Sequence, residues 1–137
     1  SRSSLFDAMR NRQTYATTHA RSLVDFHIGD AATGEEVRAD AGLKARRTIR
    51  VRYTPDAASA ARVTLVRNGE ELETKALRGP EIAAAVNEVE FVDAEPLERV
   101  ALKGAKFHPA PFVVYYARIE DGNGAHQWTS PIWIDLE

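Results

Sequence analysis

Cysteine is absent from all 137 residues, which excludes disulfides, thiolate zinc sites and a cysteine nucleophile. That absence suits the cytoplasm and the periplasm equally. No apolar run approaches the roughly 18 residues that mark a membrane-spanning helix. The opening residues, SRSSLFDAMRNRQ, hold no apolar signal-peptide core. No N-x-S/T glycosylation acceptor occurs. An excess of one charge is missing as well. The formal net charge is −2, so there is no global pull toward nucleic acid or an anionic membrane, and neither is expected as a partner. The chain shows no internal repeat, heptad array or low-complexity segment.

The usual catalytic signatures are also lacking. The four histidines, His19, His27, His108 and His126, show no H-x-H or H-x-x-x-H spacing. They read as surface residues, and no metal or other cofactor is expected in this chain. No G-x-S-x-G elbow exists, and Ser130, between Thr129 and Pro131 in a strand, reads as structural. The acidic pairs Glu70/Glu71, Glu88/Glu90 and Glu120/Asp121 fall at turns and on polar strand faces, where solvation accounts for them. Residues Glu120 to Gly124 lack the full calcium-loop spacing and read as a hairpin turn.

What is present is an ordinary globular balance, 44% hydrophobic and 28% charged, in a chain long enough for one well-buried domain. The first segment reads as a helix. Ser4 and Asp7 fit a capping box, Leu5, Phe6 and Met9 share one face, and Arg10 and Arg12 suit the last turn. At about two to three turns it would be marginal alone. Its apolar face therefore expects a partner, either an upstream domain or a second copy of the chain.

After Thr17 the hydrophobic period changes to 2. Val24, Phe26 and Ile28 alternate with Asp25 and His27, and Ile49, Val51 and Tyr53 with Arg50 and Arg52. Gly29 to Gly42 reads as a polar loop, and Pro55 ends the second strand. Arg62–Arg67 and Glu70–Ala76 are joined by Asn68-Gly69, a type I′ turn signal. Ile82 to Val86 suggests a helical turn, and Val86 to Val92 a strand with Val89 and Phe91 on one face. Phe112 to Ile119 is almost continuously apolar, as in a central strand covered on both sides. After the Asp121–Gly124 turn, Gln127 to Leu136 closes the domain, with Pro131 marking a bulge or an edge. Short strands of this kind, about seven in all, predict a mainly β fold, an immunoglobulin-like antiparallel β-sandwich with a short N-terminal helix.

Lys44, Arg46, Arg47, Arg50 and Arg52 form the densest basic run, read as a solvated or salt-bridged face. Trp128 and Trp133 have opposite parity. On one regular strand they cannot both present a flat sugar platform.

Two stretches carry a family likeness: LFDAMRNRQTYATTHAR, Leu5 to Arg21, and YYARIEDGNGAHQWTSPIWIDL, Tyr115 to Leu136. Together they resemble the C-terminal region of a bacterial family of unknown function allied to the polymerase-and-histidinol-phosphatase (PHP) metallohydrolases. The resemblance implies a distorted barrel upstream, holding divalent metal in H-x-H and D-x-H motifs, followed by a β-sandwich. It also implies that residues 1–19 are the barrel's final helix and connection, and that residues 20–137 are the appended sandwich. The family pattern has glycine after the paired threonines, where this chain has His19 in TTHAR. Arg12, His19 and Arg21 are thereby candidates for contact with the upstream active site.

The chain by itself is then expected to be non-catalytic. It would be a C-terminal accessory domain of a metal-dependent, phosphoesterase-like hydrolase, partnered by the upstream barrel or self-associating through the helix. Two other readings stay open at this point: a free-standing immunoglobulin-like module for carbohydrate or protein, presenting Trp128, Trp133 or Tyr115, and an independent hydrolase with converging histidines and carboxylates.

Overall fold

The alternating segments become strands of two facing sheets. A computed structural model describes residues 1–18, 23–54, 61–77, 87–104, 106–122 and 124–137. In chain order the elements are α1 (Arg2–Arg10), β1 (Tyr15–Thr17), β2 (Leu23–Ile28), β3 (Ala31–Ala32), β4 (Glu36–Arg38), α2 (Ala41–Ala45), β5 (Arg47–Thr54) and β6 (Ala61–Arg67). They continue with β7 (Glu70–Leu77), β8 (Asn87–Asp93), α3 (Leu97–Val100), β9 (Phe112–Asp121), β10 (His126–Thr129) and β11 (Ile132–Asp135). Counting β10 and β11 as one broken strand, the long strands match the expected set. The additions are the two- and three-residue strands β1, β3 and β4.

The smaller sheet runs β3-β2-β5-β8, antiparallel throughout. In the larger sheet β9 is central. β6 and then β7 lie on one side, and β10 and β11 on the other, edged by β1 and by β4. The β4–β11 pair is parallel. Phe26, Ile28, Ile49, Val51, Tyr53, Val89 and Phe91 meet Val63, Leu65, Val113, Tyr115, Ala117, Ile119, Ile132 and Ile134 in one core, closed at one end by Leu97 of α3. Burying each such side chain contributes about 1.5–3 kcal/mol. The outward face of β5 pairs its arginines across strands, Arg50 with Glu90 at 3.6 Å and Arg52 with Glu88 at 3.3 Å, the salt-bridged face the sequence suggested.

Several local expectations are corrected. The N-cap of α1 is Ser1, not Ser4. Ser1 Oγ accepts the Ser4 amide, and the Ser1 nitrogen donates to Ser4 Oγ at 2.9 Å, so the box closes one turn earlier. The helix stops at Arg10, capped by Asn11, and Arg12 lies beyond it with φ +56°. The stretch from Gly29 to Gly42 is not a plain loop. It carries β3, β4 and the start of α2, whose N-cap Asp40 accepts the Leu43 amide at 2.8 Å.

Strand β9 is fully buried on one face only, because no layer among the described residues covers Phe112, Val114, Tyr116 and Arg118 completely. The Asn68-Gly69 turn has φ of +53° and +85°, as a type I′ hairpin requires. The expected end at Pro55 and the turn from Ile82 to Val86 lie outside the described residues.

Pro131 marks a bulge. Trp128 faces Arg118 and Ile132 faces Tyr115, so one extra residue lies on the β10–β11 side. The inward set moves from Gln127 and Thr129 to Ile132 and Ile134. Trp128 and Trp133 therefore share the outer face despite their opposite parity. The argument from a regular strand fails because the strand is not regular.

Candidate functional site

Of the three candidate contact residues, Arg12 alone lies among the described residues; His19 and Arg21 fall outside them. Arg12 is held where the chain leaves α1. Its carbonyl presses on the position a Cβ on Gly34 would take, and Gly34 has φ +85°. Only glycine allows this approach. Arg12 Nη2 reaches Glu36 Oε2 at 3.8 Å.

Glu36 belongs to a cluster that sequence spacing did not reveal. It stands on the outer face of β4, beside Trp133 in the parallel register. Asp135 is on the same face of β11. His108 arrives from the segment between α3 and β9. Gly104 sits against the Pro109 carbonyl, an approach that a Cβ at this position would block. His108 Nε2 is 2.7 Å from Asp135 Oδ1, and Nδ1 is 3.7 Å from Glu36 Oε1. The imidazole packs edge-on against Phe112, with centroids 4.8 Å apart, and lies 6.0 Å from Trp133. Two carboxylates thus converge on one half-buried ring whose orientation is set by aromatic packing. The other described histidines are more exposed. His27 pairs with Asp25 at 2.8 Å, and His126 stacks on Trp128 beside Glu120.

A second polar constellation lies inside the sandwich. Arg47, from the basic run, is fully buried rather than solvated. Its guanidinium donates to the Tyr115 hydroxyl at 3.1 Å and to the carbonyls of Leu43, Lys44 and Glu95, and it pairs with Asp93 at 3.2 Å. Asp93 also accepts from Tyr115 Oη at 2.7 Å, Arg67 Nη1 at 2.8 Å and the Glu95 amide at 3.0 Å.

Burial pushes the Asp93 carboxyl up. The bonds from Tyr115, Arg67 and the Glu95 amide, with the Arg47 charge, outweigh burial and leave its pKa below the ordinary 3.8. Burial, reinforced by the bond to Asp93, lifts the Tyr115 phenol well above its ordinary 10.0. Burial alone would lower the Arg67 pKa, but Asp93 and Glu95 raise it, so that guanidinium stays charged. This saturated network joins β5, β6, β8 and β9 across the two sheets. With its donors and acceptors engaged within the protein, it acts as a structural clamp. Tyr115, expected at the surface by the binding-module reading, is buried in it.

On α1, Leu5, Phe6 and Met9 are 62%, 64% and 61% exposed, and none packs into the sandwich core.

No protein-family model matches the chain. A protein of Chlamydia trachomatis serovar D is 39% identical over 138 residues, covering 99% of this chain and 21% of its own length. A Chlamydia muridarum protein is 38% identical over the same span, with 99% and 21% covered. A Chlamydia pneumoniae protein is 36% identical over 137 residues, with 98% and 21% covered. Each is described as an uncharacterized protein. The chain therefore spans about a fifth of the length of the curated relatives it matches.

Proposed function

We propose that this domain is a non-catalytic accessory β-sandwich at the C-terminal end of a metal-dependent, phosphoesterase-like hydrolase, seated on the upstream barrel through α1. The observation that carries the reading is the exposed apolar face of Leu5, Phe6 and Met9 on a helix that none of the described sandwich residues buries. The length of the relatives, about five times the matched span, is in keeping with a larger parent. In this reading the barrel's own ligands would supply the metal-activated water, and Arg12, His19 and Arg21 are the candidates for contact with that site.

The test has two arms. The chain alone, given a chromogenic phosphodiester and phosphomonoester with added Mn(II), is expected to turn over neither, whereas the full-length Chlamydia trachomatis relative turns over one of them. Turnover by the chain alone, lost on chelation, sinks the reading and favours an independent hydrolase. In the second arm, Leu5→Ser/Phe6→Ser/Met9→Ser leaves the chain's unfolding free energy in urea within about 0.5 kcal/mol of its starting value. The same variant loses binding to the separately produced upstream region. A midpoint that collapses shows instead that the face belongs to this chain's own core.

A second reading, a binding module for carbohydrate or protein, draws support from the bulge at Pro131, which brings Trp128 and Trp133 to one outer face beside Phe112. Tryptophan fluorescence that shifts on titration with soluble oligosaccharides would favour it.

A further inference from the structure

We propose that Glu36, His108 and Asp135 bind one divalent transition-metal ion of the zinc class. The inference goes beyond the accessory-domain reading and stands or falls separately from it. Each residue offers one ligand atom, and the three atoms lie within 4.8 Å of one another. They come from three separate parts of the fold: β4, the segment before β9, and β11. The convergence is therefore a product of tertiary structure and not of a run of acidic sequence.

The Asp135–His108 contact of 2.7 Å is close to a ligand–ligand edge. A tetrahedral ion at about 2.0–2.1 Å from both atoms needs an edge of about 3.3 Å, so the pair must open by about 0.6 Å to admit it. Glu36 Oε1 is the movable ligand. Its side chain is 42% exposed and Oε1 now lies 3.7 Å from Nδ1, so it must swing toward the Nε2 side to complete the site. Arg12 meanwhile faces the other carboxylate oxygen, Oε2.

Two carboxylates with a neutral imidazole balance the charge of a dication. One nitrogen ligand among oxygens selects zinc-like ions over magnesium or calcium, which prefer oxygen throughout. Phe112 and Trp133 pack against the ring, so part of the ordering is complete before the ion arrives. Three protein ligands leave at least one position for water.

The untagged chain is titrated calorimetrically with Zn(II), Mn(II) or Mg(II) chloride near neutral pH, and its histidine rings are followed by NMR. One equivalent of Zn(II) is expected to bind, Mn(II) more weakly and Mg(II) not measurably. The His108 ring resonances should shift or broaden with Zn(II) in the unaltered chain, a readout that needs no variant to fold. His108→Ala and Asp135→Asn should each weaken Zn(II) binding at least about tenfold, and His126→Ala should not change it. Absence of Zn(II) binding, undiminished binding in His108→Ala, or ring shifts confined to other histidines would overturn the proposal.

Discussion

Replacing Asp93 with alanine removes the one carboxylate on which the buried clamp turns. In the folded protein that carboxylate is 4% exposed and pairs with Arg47, itself wholly buried, while Tyr115 and Arg67 donate to it. Its loss leaves the Arg47 charge in the core without a counterion. Breaking a buried pair in this way costs about 3–5 kcal/mol. Arg47 keeps its carbonyl partners Leu43, Lys44 and Glu95, which places the expected cost near the lower end, about 3 kcal/mol. That is a large share of the roughly 5–15 kcal/mol that holds a domain of this size together.

The pH dependence supplies a second readout. The Asp93 pKa is lower in the folded protein than its ordinary 3.8. Its contribution is therefore fully present above the unfolded value and is lost as pH falls through the folded value below it. Urea unfolding of both proteins, followed by tryptophan fluorescence at neutral pH and across the acid limb, should show two differences. Asp93→Ala unfolds earlier at neutral pH, and the gap narrows as pH drops below about 3.8. A neutral-pH difference under about 1 kcal/mol, or a gap independent of pH, would refute the view that an ionised Asp93 holds the sheets together.

Two further substitutions probe the same architecture. Tyr115→Phe deletes a hydroxyl that donates to Asp93 and accepts from Arg47, and should cost about 1–3 kcal/mol in urea unfolding while leaving the fold intact by circular dichroism. An unchanged midpoint would mean the hydroxyl is dispensable. Gly34→Ala places a Cβ against the Arg12 carbonyl at a φ of +85° and should destabilise by more than about 1 kcal/mol, loosening the β3–β4 turn that carries Glu36. A stable Gly34→Ala protein with an unaltered Arg12–Glu36 pair would show that the close approach is not required.

The strands were legible because their signal is local. Val24-Asp25-Phe26-His27-Ile28 and Ile49-Arg50-Val51-Arg52-Tyr53 alternate, and in the fold the apolar set faces the core while Arg50 and Arg52 meet Glu90 and Glu88. Asn68-Gly69 announced its hairpin for a similar reason, since the left-handed backbone it adopts suits those two residue types. The bulge at Pro131 was anticipated as an irregularity, but not its consequence. Inserting one residue reverses which side chains face inward, and Trp128 and Trp133 were accordingly assigned to opposite faces. Arg47 was grouped with its solvated neighbours, because nothing in a run of basic residues says which one will meet an aspartate from β8.

By itself, then, the sequence determined the class of fold: alternation, turn residues and the lack of longer helical patterns leave an antiparallel sandwich with a short helix whose apolar face needs covering. Tertiary structure alone decided which polar groups meet. The parallel pairing of β4 with β11 sets Glu36 beside Trp133, and the folded-back segment at Gly104 delivers His108 to Asp135. Sheet order likewise joins Arg47, Arg67, Asp93 and Tyr115. Side-chain periodicity extends over neighbouring residues only, whereas these meetings depend on strand order and register across the whole chain, which no short window contains.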